Sequence, residues 1–355
     1  MSFATSPKPK IAIIEFDTSH AECIYSQILF LKDTYDITLF LNSKSISSIP
    51  NLPYLTIIPL SLGNSKEIKR TSKFLKKQLI NNNIHKVIFN SAERKIFKFL
   101  LLFLFNSTIS FWGILHNPNR LKSSLKQKII SKKLKGYFVL SDFIKKNILT
   151  EKLTTTHIES TYLIFFDKKK IPTSTIIKPI DEKWILIPGR VEFNRRDYSF
   201  LLQFKNIPEN IKFIILGNIN TPEGLMFQKE ISKKSYAKQF VFFNKHVPDT
   251  DFQQYIAQAN YVLPLVHPNN KLFKKYIKYK ITATYNWAYA FQKTMLLEQH
   301  FSQNKEFNET SYFYNYLEPQ LFFNILENPT KQYCPEKWKL ASQKNKYLNF
   351  ITQTL

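Results

Sequence analysis

The sequence predicts an α/β protein built from two Rossmann-like β/α/β domains that face a cleft. Three observations support this fold class. The chain has 355 residues, more than one ordinary hydrophobic core requires and enough for two domains. Short apolar runs alternate with segments of helical periodicity, as in a parallel sheet covered by helices. This alternation weakens once, near the middle of the chain, and then resumes.

The first half opens with a strand, a polar loop and a helix. Lys10 to Phe16 is a short apolar strand, and Ala21 to Leu31 has the apolar spacing of a helix. Further strands are predicted at Ile37 to Leu41, Leu55 to Leu60, Val87 to Asn90, Ile109 to Leu115 and Tyr137 to Leu140. Helices are predicted at Lys66 to Ile80, Ala92 to Phe105 and Leu121 to Leu134. We expect this domain to span residues 1–175.

The second half repeats the pattern after a Thr-, Lys- and Pro-rich segment from Glu151 to Pro179, where we place the interdomain connection. Its strands are predicted at Trp184 to Ile187, Phe213 to Leu216, Phe240 to Phe243 and Tyr261 to Leu265, and its helices at Phe252 to Gln258 and Asn286 to Phe291. The second domain is expected over residues 180–335. Residues 336–355 predict an amphipathic helix that packs back toward the first domain.

Positive charge is concentrated in the first half of the chain. The formal net charge is +25, and the stretch from Ser61 to Lys170 contains 23 Lys and Arg against 6 Asp and Glu. A surface of this kind attracts polyanions, so anionic lipid headgroups and nucleic acid are both candidate partners. A solvated basic face without a partner is the simpler alternative.

Several functional classes are disfavoured by what the sequence lacks. Only Cys23 and Cys334 are present, far apart, and no His/Cys metal pattern, GxGxxG, P-loop or GxSxG motif occurs. No secretion signal is recognised, and the apolar run from Ile96 to Phe105 is too short to cross a bilayer. We expect a cytoplasmic protein that uses neither a metal nor another cofactor.

Two of the six glycines follow apolar strands directly. Gly189 comes after WILIP and Gly217 after FIIL, at the carboxyl ends of strands, where open α/β sheets bind ligands. Arg190, Arg195 and Arg196 then lead toward a predicted helix at Tyr198. Guanidinium groups near a helix N-terminus suit a phosphate. Each glycine could equally mark a plain tight turn.

Four segments of the second half occur in a characteristic order: ILIPGRVEFNRRDYSFLL, FIILGN, HVPDTDFQQYIAQANYVLPL and KITATYNWAYAFQKTMLL. In the first half, FWGILHN and YFVLSDFIKKNIL add two more. With these segments the chain resembles the GT-B glycosyltransferases, and its second half resembles the donor-binding domain of the group 1 (family 4) members. The resemblance implies a nucleotide sugar bound by the second domain and an acceptor bound by the first.

The resemblance also implies which residues hold the donor. Arg190, Arg195 and Lys280 would pair with the diphosphate, and Gly189 and Gly217 would form the turns beside it. The loop above it would contain Thr282, Thr284, Tyr285 and Asn286, and His246 and Val247 would lie near the nucleobase. The paired glutamates of the commonest retaining members are absent, and Glu298 is only a distant substitute.

The general base is expected in the loop after the first strand, where Asp17, His20 and Glu22 lie close together in the sequence. His20 could accept a proton with help from a carboxylate, or Asp17 or Glu22 could be the base itself. The alternative is that Asp17 or Ser19 caps the helix. His116 is a possible sugar contact, as the resemblance implies for retaining relatives.

The sequence therefore predicts a metal-independent glycosyltransferase, with inversion slightly favoured over retention. Its acceptor would be a glycan or glycolipid of bacterial surface polysaccharide or lipopolysaccharide, and its location the inner face of the cytoplasmic membrane. A sugar-nucleotide epimerase of the same fold and a noncatalytic protein that binds polyanions or nucleic acid are the alternatives.

Overall fold

A computed structural model describes residues 7–50, 52–103, 108–166, 176–334 and 336–353. The chain divides into two compact units. Unit 1 comprises Met1–Asp167 and Glu336–Leu355, and unit 2 comprises Lys168–Pro335. Residues 167–175, part of the segment in which we place the interdomain connection, lie outside the described residues.

Unit 1 is built on a seven-stranded parallel sheet with the strand order β3-β2-β1-β4-β5-β6-β7. The strands are β1 Lys10–Glu15, β2 Asp36–Asn42, β3 Thr56–Leu60, β4 Lys86–Phe89, β5 Ser110–Ile114, β6 Gly136–Val139 and β7 His157–Ser160. The helices are α1 Glu22–Leu31, α2 Ser65–Asn81, α3 Phe97–Leu100, α4 Arg120–Ser123, α5 Leu125–Lys133 and α6 Asp142–Thr150. Short 3-10 turns cover Ser43–Ser48, Arg94–Ile96 and Leu101–Phe103.

Unit 2 has a six-stranded parallel sheet with the order β10-β9-β8-β11-β12-β13. Its strands are β8 Lys183–Pro188, β9 Ile211–Asn218, β10 Phe240–Phe243, β11 Tyr261–Val262, β12 Thr294–Glu298 and β13 Ser311–Tyr314. Its helices are α7 Pro222–Ser232, α8 Asp249–Gln258, α9 Phe273–Tyr276, α10 Ala283–Ala290 and α11 Lys305–Asn308. The 3-10 segments are Tyr198–Gln203, Ala237–Gln239, Gln299–Gln303 and Pro319–Glu327.

The predicted α/β class with two parallel sheets is confirmed. Parallel strands need cover on both faces, so the central ones are continuous apolar runs. Ile11 to Ile14 of β1 and Ile185 to Ile187 of β8 are completely buried. This burial explains why the strands could be recognised from composition alone.

The structure differs from the predicted elements in several places; the predicted helix from Leu121 to Leu134, for example, is split into α4 and α5. The helix predicted from Ala92 to Phe105 is not one helix in its described part, which ends at Phe103, because Phe99 and Phe103 pack with Phe89 and Phe111 and the backbone follows that cluster in short 3-10 and α turns. Phe105 lies outside the described residues. The segment from Glu151 to Pro179 contains a strand, β7, which pairs with β6 at the sheet edge. Two further strands, β12 and β13, extend the second sheet beyond the last predicted strand.

The last helix, α12 Leu340–Gln353, belongs to unit 1, where it packs against α1 and β6. The Tyr347 ring stacks on Phe138 with centroids 4.2 Å apart and lies 5.2 Å from the Phe30 ring. Lys344 pairs with Asp33 at 2.6 Å, and Lys346 with Glu159 at 3.2 Å. Aromatic contacts and ion pairs together fix the helix.

Replacing Tyr347 with Ala should lower the free energy of unfolding of unit 1 by about 3 to 5 kcal/mol, because the change leaves a cavity between Phe138 and Phe30. Urea denaturation would measure the effect. Tyr54→Ala is the matched control, because the Tyr54 side chain is about half exposed. Equal losses in the two variants would contradict the packing described for α12.

Candidate active site

The carboxyl ends of three neighbouring strands bring polar side chains together in unit 1. The loop after β1 carries His20, the loop after β4 carries Asn90 and Ser91, and the loop after β5 carries His116. Parallel strands end at the same edge of a sheet, so these residues converge although they lie far apart in the sequence. His20 and His116 were predicted from the sequence; Asn90 and Ser91 were not.

The His20 and His116 rings stack face to face. Their centroids are 3.8 Å apart and their planes differ by 6°. His20 has a φ of 69°, in the left-handed region, and its carbonyl oxygen accepts a hydrogen bond from Asn90 Nδ2 at 2.9 Å. This strained turn holds the His20 ring against its partner.

The two imidazoles have opposite protonation tendencies. Burial alone would lower the pKa of His20, but the Glu22 carboxylate, 3.6 Å from Nδ1, outweighs it and raises that pKa. Burial, with the charge of His20, lowers the pKa of His116 to about 3. The neutral His116 ring donates from Nε2 to the Asn90 carbonyl at 2.8 Å, so its Nδ1 carries a lone pair. Among the described residues this buried Nδ1 has no hydrogen-bond partner.

A buried carboxylate, Glu15, organises the loops around the histidines. It accepts hydrogen bonds from the Ser91 hydroxyl at 2.6 Å, from Asn90 Nδ2 at 2.7 Å and from the Asp17 backbone N–H at 2.6 Å. Burial raises its pKa despite these bonds. Glu15 escapes the sequence analysis because it ends an apolar strand, although a charged residue in that position is itself a signal.

Asp17 is directed toward Lys95, with its carboxylate 3.3 Å from the ammonium group. The same carboxylate accepts the Thr18 N–H. The alternative in which Asp17 or Ser19 caps the first helix is wrong, because the N-cap residue of α1 is Ala21, which makes no side-chain cap. Of the three residues predicted as candidate bases, His20 and Glu22 therefore pair with each other, and Asp17 pairs with Lys95 instead.

A chain of buried hydrogen bonds supports this edge of unit 1. Gln27 Nε2 donates to Asn90 Oδ1 at 2.7 Å, and the Tyr347 hydroxyl donates to Gln27 Oε1 at 3.0 Å. These bonds fix the amide of Asn90, which in turn holds Glu15 and the His20 carbonyl. Gln27 and Tyr347 have no signature that would reveal this role in the sequence.

In unit 2, the turn after β8 is fixed by glycines and by Arg196. Gly189 has a φ of 104°, which disfavours any other residue. A Cβ atom on Gly217 would lie 2.5 Å from the carbonyl carbon of Gly189, so the two backbones meet here. Arg196 donates to the Pro188 and Arg190 carbonyls and, at 3.2 Å, to Thr284 Oγ1. Arg196 therefore ties the turn to α10.

Arg190 and Arg195 extend from this turn, with two thirds of each side chain exposed. Both lie near Glu192, whose carboxylate is 4.0 Å from Arg190 Nε and 3.0 Å from Arg195 Nε. Lys280 belongs to the same region: burial lowers its pKa, and the charges of Arg195 and Lys275 lower it further. Arg195 and Lys280 thus interact electrostatically, and the Glu192 carboxylate pairs with Arg195.

The helix expected after Arg196 is a 3-10 segment, Tyr198–Gln203, and its N-terminus is already capped by the Asp197 carboxylate, which accepts the Ser199 N–H. That N-terminus is therefore a poor phosphate site, contrary to the sequence prediction. The N-terminus of α10 has no such cap. Thr282 makes no side-chain cap there, and its Oγ1 is buried without a hydrogen-bond partner in the described part of the chain.

The other residues predicted for the donor site differ in burial, and most of their side chains are buried. Tyr285 is fully buried against Phe301 and Phe307, so only its backbone can face a ligand. Asn286 is buried as well. In the loop after β10, His246 is exposed and Val247 buried. Glu298 ends β12, is buried, and accepts hydrogen bonds from the backbone and side chain of His300 at 2.9 Å.

A second buried network, not predicted from the sequence, is formed by Asp197, His267 and Tyr314. His267 is completely buried; Asp197 Oδ2 lies 2.9 Å from its Nδ1, and the Tyr314 hydroxyl 2.7 Å from its Nε2. Burial opposes the charge of Asp197, but the hydrogen bonds from His267, Ser199 and Asn269 lower its pKa to about 2. Asp197, held by these bonds, directly follows Arg196 in the chain. It therefore fixes the end of the loop that carries Arg190 and Arg195.

Within the described residues, no group of three or more His, Cys, Asp and Glu side chains is arranged to hold a metal ion. No helix in the described ranges combines the length and apolar character that a bilayer crossing requires.

Sequence comparisons provide no assignment: no family model matches the chain, and no curated protein matches it. Solved structures do match over nearly the whole chain. The UDP-GlcNAc 2-epimerase from Methanocaldococcus jannaschii aligns with a TM-score of 0.64 at 12% identity, covering 97% of this chain and 99% of that one.

Two other structures give comparable agreement. The lipopolysaccharide outer core galactosyltransferase WaaB has a TM-score of 0.63 at 14% identity, covering 98% of this chain and all of its own. The UDP-GlcNAc 2-epimerase from Neisseria meningitidis, bound to UDP-GlcNAc, has a TM-score of 0.64 at 13% identity, covering 97% and 100%. Identities this low establish the fold alone. The chain has the GT-B fold, shared by glycosyltransferases and sugar-nucleotide epimerases.

Proposed function

We propose that this protein is a glycosyltransferase that moves a sugar from a nucleotide-sugar donor to a glycan or lipid-linked acceptor. The observation that carries the proposal is the uncapped N-terminus of α10 beside a basic loop: Arg196 donates to Thr284 of this helix at 3.2 Å, and Arg195 and Lys280 interact electrostatically nearby. A nucleotide diphosphate suits such a site, because cations and helix amides both stabilise phosphate oxygens. The Neisseria epimerase of the same fold was solved with UDP-GlcNAc, which supports this class of substrate.

Unit 2 would stabilise the leaving group. As the bond between the anomeric carbon and the diphosphate oxygen breaks, the nucleoside diphosphate takes the electron pair and gains charge. Arg190, Arg195 and Lys280 would neutralise that charge, and Thr282 Oγ1 could donate a hydrogen bond to a phosphate oxygen. Cationic side chains can replace a divalent ion in this role, so the proposed reaction is independent of metals and other cofactors.

Unit 1 would supply the base. The acceptor hydroxyl oxygen forms the new bond to the anomeric carbon and loses its proton to His20 Nε2, while Glu22 stabilises the imidazolium through Nδ1. The neutral His116 ring supports His20 by stacking. This arrangement favours inversion, because an inverting transfer needs a base for the acceptor.

The proposed setting is bacterial surface polysaccharide or lipopolysaccharide synthesis, on the inner face of the cytoplasmic membrane. Support comes from the lipopolysaccharide outer core galactosyltransferase WaaB, which has the same fold. A second candidate is a sugar-nucleotide epimerase, because two of the compared structures are UDP-GlcNAc 2-epimerases.

Arg195→Ala and Lys280→Ala should each lower kcat/KM for the nucleotide sugar by about a hundredfold or more, because each removes a charge from the leaving group's environment. The donor would first be identified by a thermal-shift panel of UDP, GDP, CMP, dTDP and ADP sugars. Turnover should persist in EDTA. Lys205→Ala, which removes an exposed charge elsewhere in unit 2, is the control. Normal turnover in both test variants would refute the phosphate site.

The logarithm of kcat/KM should rise with pH up to the pKa of His20 and then level off, because only the neutral imidazole accepts a proton. Glu22 raises that pKa, so Glu22→Gln should move the acid limb to lower pH. Glu67→Gln, an exposed carboxylate on α2, should leave the limb in place. Histidine NMR should show His116 neutral throughout, given its pKa of about 3. An unmoved limb in Glu22→Gln would remove His20 from the role of base.

Incubation with the stabilising donor alone separates the two candidate functions. A transferase should leave the donor sugar unchanged or hydrolyse it slowly, and it should transfer the sugar when a glycan or lipid-linked acceptor is added. Proton NMR of the mixture would detect an isomerised sugar nucleotide. Accumulation of the isomer would replace the transferase proposal with the epimerase.

A further inference from the structure

The outer surface of α2 combines positive charge with exposed apolar side chains. Its exposed basic residues are Lys66, Lys69, Arg70, Lys73 and Lys77. Glu67 is the only acidic residue in the helix. Phe74 is 42% exposed and Ile80 55% exposed, at positions where a helix surrounded by water would carry polar residues.

Helix α5 has the same character. Leu125 is 76% exposed and Ile129 40% exposed, and Lys126, Lys128 and Lys132 are exposed around them. No Asp or Glu occurs in the sequence from Leu121 to Ser141. Both helices therefore mix lysine with large apolar side chains, with almost no acidic residues among them.

The two helices form one continuous layer because both contact the segment between them, Phe97 to Phe103. From α2, Lys76 donates to the Leu102 carbonyl at 2.7 Å. From α5, the Lys126 ammonium lies 5.8 Å from the centre of the Phe97 ring. Leu101 of this segment is 37% exposed. We call the outer surface of α2, Phe97–Phe103 and α5 the α2–α5 face.

Charge on this face is not neutralised as it is elsewhere in unit 1. Around α6 and α12 the lysines are paired: Lys145 with Glu159 at 2.8 Å, Lys337 with Asp142 at 2.8 Å and Lys344 with Asp33 at 2.6 Å. Within the described ranges, Lys69, Lys73, Lys77, Lys126, Lys128 and Lys132 have no carboxylate within ion-pair distance. On this face, unpaired positive charges therefore lie beside exposed apolar side chains.

We propose that the α2–α5 face docks unit 1 on an anionic lipid bilayer, with the lysines at the headgroups and Phe74, Leu125 and Ile129 inserted into the interface. Lysines near an anionic leaflet each contribute attraction, and inserted apolar side chains add affinity that salt does not screen. Nucleic acid fits less well, because the face has one arginine and its exposed apolar groups would gain nothing from phosphates. The inference holds for a transferase and an epimerase alike.

Flotation of the full chain with vesicles tests the proposal. The wild type should bind vesicles of phosphatidylcholine and phosphatidylglycerol in equal parts and should not bind pure phosphatidylcholine. The triple variant Lys69→Ala, Lys73→Ala, Lys77→Ala should bind the anionic vesicles about a hundredfold more weakly. The double variant Phe74→Ser, Leu125→Ser should lose about tenfold or more, and this loss should persist at high salt.

The control variant Lys205→Ala, Lys229→Ala, Lys233→Ala removes the same charge from exposed positions in unit 2. It should bind as the wild type does. If the control and the α2 variant bind anionic vesicles equally weakly, binding depends only on net charge. That result would overturn the proposal that the α2–α5 face is the docking surface. Failure of the wild type to prefer anionic vesicles would overturn it outright. So would tight binding of an RNA oligonucleotide that competes with vesicles and is unaffected by Phe74→Ser, Leu125→Ser.

Two further readouts separate this inference from the proposed function. The substituted side chains are exposed, so thermal unfolding of the face variants should match the wild type. Their action on a sugar nucleotide in solution should also be unchanged. Conversely, Arg195→Ala should still bind anionic vesicles. A face variant that loses turnover without membranes would show that the face serves the site rather than lipid.

Discussion

Parallel pairing of every strand is the constraint on which the rest of the structure depends. It obliges both faces of each sheet to be covered with apolar groups, so polar chemistry is confined to the loops beyond the strand ends. In unit 1 the loops after β1, β4 and β5 bring His20, Asn90 and His116 together beside Glu15, the last residue of β1. In unit 2 the loop after β8 brings Gly189 and Arg196 to Thr284 of α10. Each candidate site is thus a consequence of strand order rather than of local sequence.

Each unit uses a buried polar network to hold its loops in place. Glu15 is buried with three donors around it, and Asp197 is held by His267, Ser199 and Asn269. A buried charge is costly unless hydrogen bonds compensate it, so these groups tolerate little displacement of their partners. The half-buried His20 and the exposed Glu22, Arg195 and Lys280 lie outside these networks and are left accessible to a ligand.

The extent to which the sequence predicts this molecule follows from the same physics. Central strands such as β1 are buried on both faces and appear as continuous apolar runs, whereas β7 is a four-residue edge strand with one large apolar residue, and β12 follows a helix too closely to stand out. Residues in the loop after a strand, such as His20 and Arg195, can be predicted from their position in the sequence. The roles of Gln27 and Tyr347 cannot be predicted in this way. Gln27 bonds to Asn90, 63 residues away, and Tyr347 bonds to Gln27, 320 residues away.

The position of Tyr347 in the chain affects when unit 1 can complete its folding during synthesis. The Tyr347 hydroxyl completes the chain of hydrogen bonds that runs through Gln27 and Asn90 to the turn at His20, yet it is on the last helix. A ribosome translates unit 1 first and unit 2 next, and only then supplies α12. The nascent N-terminal unit therefore remains an unfinished fold until α12 has been translated, and a product truncated before α12 would carry an incompletely supported histidine pair.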